Sequence, residues 1–280
     1  MVQNSTMNIR FFASGYCEAH EKIVNPLNGK GVSKFYAVWA LIYLPEFGNI
    51  LFDTGYTKEF DKATSSFPER FYRWATPLHL KPHQTAKALL GNEGINADEI
   101  QYVIISHFHA DHIAGLKDFP NAKIICSKLA YHEVMTSKGV RAVSKGILHK
   151  LLPDDFENRV VLLEDFAKNI FVNDAGITEF DVFNHSSFKL ISLDGHAKGM
   201  LGFLYKDEKQ AILYATDASW SYETYQQGIL PSKIVKLFFD SWGDFIETQN
   251  KIRAFETAHA EFSILFTHCA KTLNYIANEI

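Results

Sequence analysis

The chain has 280 residues, of which 47% are hydrophobic and 21% charged, so it can bury a sizeable core and has the composition of a globular protein. Its 28 basic and 32 acidic residues give a net charge of −4 without long runs of either sign, which argues against a dedicated nucleic-acid-binding protein. The 3 cysteines have no paired spacing and favour a reducing, cytoplasmic location. The N-terminal segment lacks a secretory-signal pattern, and the apolar run 35–44 is too short to cross a membrane.

The first half of the chain mixes predicted strands with two helical segments. Alternating or β-branched runs predict strands at 7–14, 35–44, 49–53, 101–105 and 123–126. Helical spacing predicts a helix over 83–94 and another through 115–119. The stretches near 56–80 and 127–157 are interpreted as helical insertions.

Strand patterns return in the second half. Short apolar runs predict strands at 159–163, 178–183, 188–193, 201–205 and 210–216. Two helices are expected near 231–240 and 245–259, followed by a last strand at 262–266. No repeat or Pro/Gly linker divides the chain, so we expect one α/β domain over 1–280, with two sheets packed face to face and helices outside.

The strongest chemical signal is the segment SHFHADH at 106–112, directly after a predicted strand. Side chains repeat every two residues at a strand end, so His107 and His109 share one side and can reach a single ion. Asp111 and His112 lie on the following turn and can reach a second ion. Imidazole and carboxylate together suit zinc, iron or manganese better than calcium. The spacing therefore predicts a metal site, and an exposed polar turn is the alternative.

Three later polar residues, His196, Asp217 and His268, also follow apolar strands. Loops at strand ends are where a rigid scaffold carries functional residues. Taken singly, each of these residues would be interpreted as part of a turn. Because all three follow the HxHxDH segment, we expect them to supply the further ligands that two ions need.

This ordered set resembles the metallo-β-lactamase superfamily, whose pattern is DTG, HxHxDH, His, Asp, His. The match spans about residues 50–268 and begins at Asp53-Thr54-Gly55. The resemblance implies an αββα sandwich of two mixed sheets with helices outside. It also implies that Asp53 orients ligands without binding metal. The implied ligands are His107, His109 and His196 for one ion, Asp111, His112 and His268 for the other, and Asp217 as a bridge between them.

The implied cofactor is a pair of divalent ions, with zinc favoured and iron, manganese or cobalt as alternatives. A hydroxide held between two such ions can attack a carbonyl or phosphoryl group, so hydrolysis is the expected reaction. The leaving group would take its proton through Asp111 or from a metal-bound water.

Within the superfamily, ILFDTG, SHFHADHIAGL and ATDAS resemble the N-acyl-homoserine lactone lactonases. The resemblance implies the opening of a lactone ring, as in quorum quenching. The chain departs from that branch at Trp220, where those lactonases have a tyrosine whose hydroxyl assists the substrate oxygen. We consider Tyr222 or Tyr225 as a catalytic substitute, and an exposed tyrosine at a helix start is the alternative. Trp220, Phe71 and Trp74 are candidate substrate contacts, and Phe67 and Tyr72 are further candidates for a pocket wall, although core packing of the insertion would also explain the residues at 67–74.

Several alternatives remain open at the level of sequence. The same dimetal site would serve a phosphodiesterase or a thioester or other ester hydrolase. A redox diiron module would want a carboxylate where His109 stands, and a metal-binding protein without catalysis is the non-enzyme alternative. The expected partner is a small apolar lactone or ester, without nucleic acid or membrane, and a homodimer is left open.

Overall fold

Two β-sheets form the centre of the structure, a computed structural model that describes residues 7–27 and 29–277. The ends of the predicted domain, 1–6 and 278–280, and residue 28 lie outside the described residues. The strands of the first sheet are β1 (Asn8–His20), β2 (Val32–Leu44), β3 (Gly48–Phe52), β4 (Leu78–His79), β5 (Tyr102–Ile104), β6 (Lys123–Cys126) and β7 (Val160–Leu162). Those of the second are β8 (Asn169–Val172), β9 (Thr178–Asp181), β10 (Phe188–Ser192), β11 (Leu201–Lys206), β12 (Ala211–Tyr214) and β13 (Phe262–Leu265).

Both sheets mix parallel and antiparallel pairs. The first has the order β4-β1-β2-β3-β5-β6-β7, antiparallel from β4 to β3 and parallel from β3 to β7. The second has the order β13-β12-β11-β10-β9-β8, and within it only the pair β12–β13 is parallel. The prediction of two mixed sheets is therefore confirmed.

The continuous apolar run of β2 follows from its position between two cores. Trp39 and Leu41 pack on the outer side, under helices, whereas Val38, Ala40 and Ile42 pack on the inner side, against the second sheet. A strand that is covered on both faces has no polar face, so its sequence does not alternate.

Aromatic rings join the two sheets. Phe52 of the first sheet lies 5.0 Å from Phe203 of the second, and Phe11 lies 5.2 Å from Tyr214, measured between ring centroids. All four side chains are buried. These edge-to-face contacts fill the space between the sheets and add to the apolar area removed from water.

Helices cover the outer faces of both sheets and complete the αββα arrangement. Ala86 and Leu90 pack on the outer side of the first sheet, and Ile252 and Phe255 pack on the second. The helices are α1 (Glu59–Ala63), α2 (Arg70–Ala75), α3 (Ala86–Asn92), α4 (Ala110–Ile113), α5 (Lys128–Thr136), α6 (Gly139–Ser144), α7 (Phe156–Arg159), α8 (Leu163–Phe166), α9 (Tyr222–Gln226), α10 (Trp242–Ala258) and α11 (Ala270–Leu273). In the described part of the chain, none is both long and apolar enough to cross a membrane.

The structure differs from the predicted elements in several places. The helix expected through 115–119 is a 3-10 turn, Leu116–Asp118, that follows α4, and the two-residue strand β4 was not predicted. The helix expected at 231–240 is a 3-10 turn, Lys233–Leu237. Helix α10 begins at Trp242, earlier than expected, because the Ser241 side chain accepts a hydrogen bond from the backbone of Asp244 and caps the helix. Strand β8 was not predicted, because its residues are exposed on both faces and do not alternate.

The contact between the sheets predicts a large stability effect at Phe203. Phe203→Ala should lower the free energy of unfolding by about 3–5 kcal/mol, because it removes a fully buried ring and leaves a cavity. Val140→Ala is the matched control, since Val140 is 72% exposed. Urea denaturation of both variants measures the difference, and equal midpoints would contradict the assigned packing.

Candidate metal centre

The seven predicted ligands lie in segments that follow strand ends. His107 to His112 follow β5, His196 follows β10, Asp217 follows β12 and His268 follows β13. The backbone N–H of Leu201, at the start of β11, donates to the Ser106 carbonyl at 2.9 Å. This bond joins the two sheets beside the ligands, so donors from both sheets converge at one edge of the sandwich.

The HxHxDH segment forms a short helix rather than an open turn. His109 has extended backbone angles and precedes α4, so Asp111 and His112 fall in the first helical turn. The backbone N–H groups of His112 and Ile113 donate to the His109 carbonyl at 3.1 and 3.2 Å. His107 and His109 therefore lie between the end of β5 and the start of α4. The first turn of α4 then directs Asp111 and His112 towards the same space.

The donor atoms form two groups that share Asp217. In each group, one nitrogen or carboxylate oxygen from every residue lies within 4.8 Å of all the others. Asp217 Oδ2 is 3.3 Å from His196 Nε2 and 3.1 Å from His268 Nε2, one residue from each group. The groups are His107, His109, His196 and Asp217, and Asp111, His112, Asp217 and His268.

Several of these buried atoms have no hydrogen-bond partner, which is the feature expected of a metal site. They include His107 Nε2, His112 Nε2 and Asp217 Oδ1. Unpaired buried polar atoms are costly, so their convergence indicates that a cation belongs between them. The mixture of imidazole and carboxylate fits a divalent ion such as zinc, iron or manganese.

The second ring nitrogens of three histidines are held by neighbours. His112 Nδ1 is 2.7 Å from Asp53 Oδ2, His268 Nδ1 donates to the Tyr36 carbonyl at 2.9 Å, and His109 Nε2 donates to the Lys145 carbonyl at 3.1 Å. Such contacts set which nitrogen carries the proton, so the other nitrogen presents its lone pair to an ion.

The charge state of the centre also suits a cation. Burial lowers the pKa of His107 well below its usual value and that of His196 to about 3, so both rings stay neutral near pH 7. Burial acts to raise the pKa of Asp111, but the neighbouring His112 and His268 outweigh it and lower this pKa to about 2. Burial acts to lower the pKa of His112 and His268, but the neighbouring carboxylates outweigh it and raise both, so a cation that binds there would displace their protons. Neutral imidazoles and ionised carboxylates are the forms that bind metal.

Asp53 occupies the position that the resemblance implied, beside the ligands. Its Oδ1 accepts the backbone N–H of Ser106 and its Oδ2 accepts the Ser106 hydroxyl, both at 2.8 Å. Asp53 has a φ of 63°, an unusual value for a non-glycine residue. Thr54 donates to the His112 carbonyl from both its backbone N–H and its hydroxyl, at 2.8 Å. The Asp53-Thr54-Gly55 segment therefore fixes the position of α4 through hydrogen bonds instead of forming a simple turn.

A lysine bridge that the sequence did not indicate lies behind His109. Lys145 Nζ contacts Glu133 Oε1 at 2.6 Å and Asp240 Oδ1 at 3.1 Å, and its carbonyl accepts the His109 ring N–H. A Cβ on Gly146 would come within 2.2 Å of His109 Cδ2, and Gly146 has a φ of 71°. Gly146 was visible only as an interruption of a helix, since its role depends on the fold.

Of the predicted aromatic substrate contacts, Trp220 lies beside the centre. Its ring is 5.9 Å from His196, 5.5 Å from Phe35 and 5.6 Å from Phe239. The Phe35 ring is in turn 5.1 Å from His268. A groove of about 300 Å³ runs past Phe35 and Trp220 and is lined by one of the predicted ligands, His268.

The contacts of Tyr222 correct the catalytic role considered for it. Its hydroxyl donates to Glu256 of α10 at 2.6 Å, and the Tyr225 hydroxyl donates to the other oxygen of Glu256 at 2.9 Å. Burial and the adjacent Glu256 raise the pKa of Tyr222 to about 12. Both hydroxyls serve to join α9 to α10 and are not directed at the ligands.

Phe71 and Trp74 lie in a surface cluster. They are 58% and 63% exposed, and they pack on each other and on Phe67. From the same helix, Tyr72 turns inward and packs on Phe60, with 6.0 Å between the ring centroids. Of the candidates in this helix, Tyr72 is therefore less exposed than Phe71 and Trp74.

Comparisons of sequence agree with this geometry. The model of the Metallo-beta-lactamase superfamily matches residues 34–258. The N-acyl homoserine lactonase AttM of Agrobacterium fabrum is 26% identical over 171 residues, which cover 59% of this chain and 57% of AttM. The match thus spans little more than half the length of that relative. An N-acyl homoserine lactonase of Bacillus sp. is 22% identical over 222 residues, or 78% of each chain.

Solved structures show the same fold. An N-acyl homoserine lactone hydrolase with the product N-hexanoyl-L-homoserine at its catalytic metal center gives a TM-score of 0.72 at 17% identity, covering 95% of this chain and 94% of that one. A probable metal-dependent hydrolase from Staphylococcus aureus gives 0.69 at 18% identity, covering 96% and 91%. At these identities, the likeness establishes the fold alone.

The contacts of Asp53 predict a change in metal affinity. Asp53→Asn should weaken zinc binding by about 10- to 100-fold, because an amide cannot accept hydrogen bonds from Ser106 and His112 with both of its polar atoms. Competition with a chromophoric chelator measures the affinity, and Asp98→Asn, at an exposed position, is the control. A folded Asp53→Asn protein with the original affinity would rule out this orienting role.

Proposed function

Because this chain belongs to the metallo-β-lactamase superfamily, we propose that it is a dinuclear metal-dependent hydrolase that opens the ring of N-acyl-homoserine lactones or related small lactones. The observation that carries the proposal is the pair of donor groups that share the buried Asp217. The lactonases among its relatives supply the substrate class, which the geometry of this site accommodates.

Seven side chains would hold two divalent ions, for which we propose zinc. When bound, such ions lower the pKa of water and polarise a carbonyl oxygen. The first ion would be held by His107, His109 and His196, the second by Asp111, His112 and His268, and Asp217 would contact both.

We assign the proton transfers to Asp111. Its buried carboxylate belongs to the second donor group and would be ionised when it contacts a cation, so it can accept the proton that the attacking water loses. Attack forms the new C–O bond, and the ring C–O bond then breaks to leave an alkoxide. The alkoxide is far more basic than a carboxylate, so the proton passes from Asp111 to that oxygen.

Trp220 would position the substrate. Its ring and that of Phe35 form an apolar wall beside His196 and His268, which fits a lactone with an acyl chain. The indole N–H can donate a hydrogen bond to a substrate oxygen, but it cannot deliver a proton as a phenol can. Trp220 therefore acts in binding, and the proton comes from elsewhere.

The charges near the centre favour a neutral substrate over a phosphoester. A small cavity beside His109 and His196 is lined by two lysines, Lys145 and Lys198. Both already face carboxylates, since Lys145 contacts Glu133 and Asp240, and Lys198 lies 4.0 Å from Glu133. Besides metal ions, phosphate recognition often uses lysine or arginine side chains that are free to pair with its oxygens. A carboxylic ester substrate needs no such side chain.

We extend the proposal to location and role. The described cysteines, Cys17, Cys126 and Cys269, are all buried and free, which fits the reducing cytoplasm that we infer from the sequence. Hydrolysis of acyl-homoserine lactones there would remove a signal, so we infer a role in quorum quenching.

Ring opening of an acyl-homoserine lactone series, followed by proton release, tests the proposed reaction. We expect zinc-loaded protein to reach kcat/KM above about 10⁴ M⁻¹s⁻¹ and chelator-treated protein to lose this activity. A phosphodiester and a glutathione thioester, assayed in parallel, test the alternatives. Faster turnover of either than of every lactone would overturn the assignment.

Substitution of the ligands tests the metal site directly. His109→Ala and Asp217→Ala should each lower bound zinc and reduce lactone turnover by more than about 100-fold, beyond the usual loss for a residue outside the ligand set. His132→Ala, at an exposed histidine, should keep both properties. Full turnover in either ligand variant would be incompatible with the assigned centre.

Trp220→Ala should impair binding more than chemistry. We expect KM for a long-chain lactone to rise by about tenfold or more, which corresponds to about 1.4 kcal/mol, since the variant removes an apolar wall. The effect should be smaller for a short-chain lactone, where less of the chain reaches the wall. Trp74→Ala is the control, because Trp74 is 63% exposed in the surface cluster. An unchanged KM in Trp220→Ala would remove this residue from the binding site.

A further inference from the structure

The second sheet ends in an edge strand whose apolar side chains lie in solvent. β8 has β9 as its neighbour in the sheet order and forms the end of the sheet. Ile170 is 50% exposed, Phe171 43% and Val172 64%. An edge strand of this kind presents backbone N–H and C=O groups on its outer side, together with apolar side chains, and so is suited to pair with another strand.

The other sheet ends in the described part of the chain are less suited to such pairing. β4 has only two residues, β7 is partly buried along its length, and the last two residues of β13 are buried. Natural edge strands are often protected by a charged side chain or a proline within the strand. The four residues of β8, NIFV, contain neither.

The sequence around β8 is complementary to itself when read in the opposite direction. It runs Lys168-Asn169-Ile170-Phe171-Val172-Asn173-Asp174. Reversal about Phe171 places Ile170 opposite Val172 and Lys168 opposite Asp174. An apolar residue thus meets an apolar residue, and a cation meets an anion.

We propose that β8 pairs antiparallel with β8 of a second copy of this chain, with Phe171 on the two-fold axis. The pairing extends the second sheet across the dimer, pairs the outer backbone groups of both strands and places their apolar side chains next to each other. Because both copies use the same surface, the contact is closed and stops at a dimer. The proposal does not depend on the activity of the metal centre.

Charge at the ends of β8 sets the direction and register of this pair. Lys168 comes just before the strand, and Asp174 lies just after it in the turn towards β9. The Asp174 side chain is 60% exposed, and its carboxylate contacts His259 Nε2 at 3.0 Å. Lys168 of the second copy would join this existing contact. A parallel arrangement would instead place like charges together, which is unfavourable.

The oligomeric state of the full chain tests the proposal. Sedimentation equilibrium should show a dimer for the unmodified protein, and Val172→Lys should raise the dimer dissociation constant by at least about tenfold, because it places two lysines in the interface. Val140→Lys, at a 72% exposed residue of α6, is the matched control and should leave the dimer intact. A monomeric unmodified protein, or a dimer that Val172→Lys leaves unchanged, would overturn the proposal.

A charge reversal tests the predicted direction. Lys168→Asp should weaken the dimer by placing carboxylates opposite each other, and the double variant Lys168→Asp with Asp174→Lys should restore it. The single variant Asp174→Lys shows how much of the change comes from losing the contact with His259. Failure of the double variant to recover above both single variants would contradict the pairing of Lys168 with Asp174.

Disulfide formation tests the register. A residue on the two-fold axis faces its own copy, so Phe171→Cys should form a covalent dimer under mild oxidation, since opposed strand residues lie within disulfide reach. Ile170→Cys, one residue from the axis, should cross-link much less. The described native cysteines are buried and do not compete. A dimer in which Phe171→Cys stays uncrosslinked, or in which Ile170→Cys cross-links better, would overturn the assigned register.

Discussion

A single buried carboxylate joins the elements on which the metal centre depends. Asp53 accepts hydrogen bonds from the Ser106 backbone and hydroxyl and contacts His112 Nδ1, so it ties the end of β3 to the end of β5 and to α4. Its own backbone N–H donates to the Ile104 carbonyl at 2.8 Å. Because a carboxylate without exposure to water needs all of these partners, the surrounding segments cannot move independently of it.

Unusual backbone conformations are concentrated beside the ligands. Asp53 has a φ of 63° and Thr216 a φ of 43°, although neither is a glycine. Thr216 precedes Asp217, its carbonyl accepts the backbone N–H of Thr267, and its hydroxyl donates to the Leu201 carbonyl. Such conformations persist only where the surroundings hold them, and they commonly occur at functional sites. The packed sheets behind the centre supply that support, so an arrangement that is unfavourable locally is kept by the fold as a whole.

The donor groups also require a scaffold that brings distant segments together and keeps their donor atoms at a fixed spacing. His109 Nδ1 and His196 Nε2 lie 3.1 Å apart, although 87 residues separate them in the chain. The Lys145 bridge holds α5, the end of α6 and the segment before α10 around this pair, and the Asp240 backbone donates to the His196 carbonyl. Rigid support of this kind keeps donor atoms at the spacing that a metal ion needs, since the rings cannot rotate away.

The sequence by itself identified the seven residues of the two donor groups, most of the strands and the fold class. HxHxDH is a local pattern, and His196, Asp217 and His268 each end an apolar run, so all of them were visible without a structure. Only the tertiary structure decided the contacts of Tyr222 and Lys145 and the presence of β8. The Tyr222 hydroxyl meets Glu256 from another helix, and Lys145 meets partners 12 and 95 residues away. Periodicity reports which face of an element is buried, but it carries no information about which distant element covers that face.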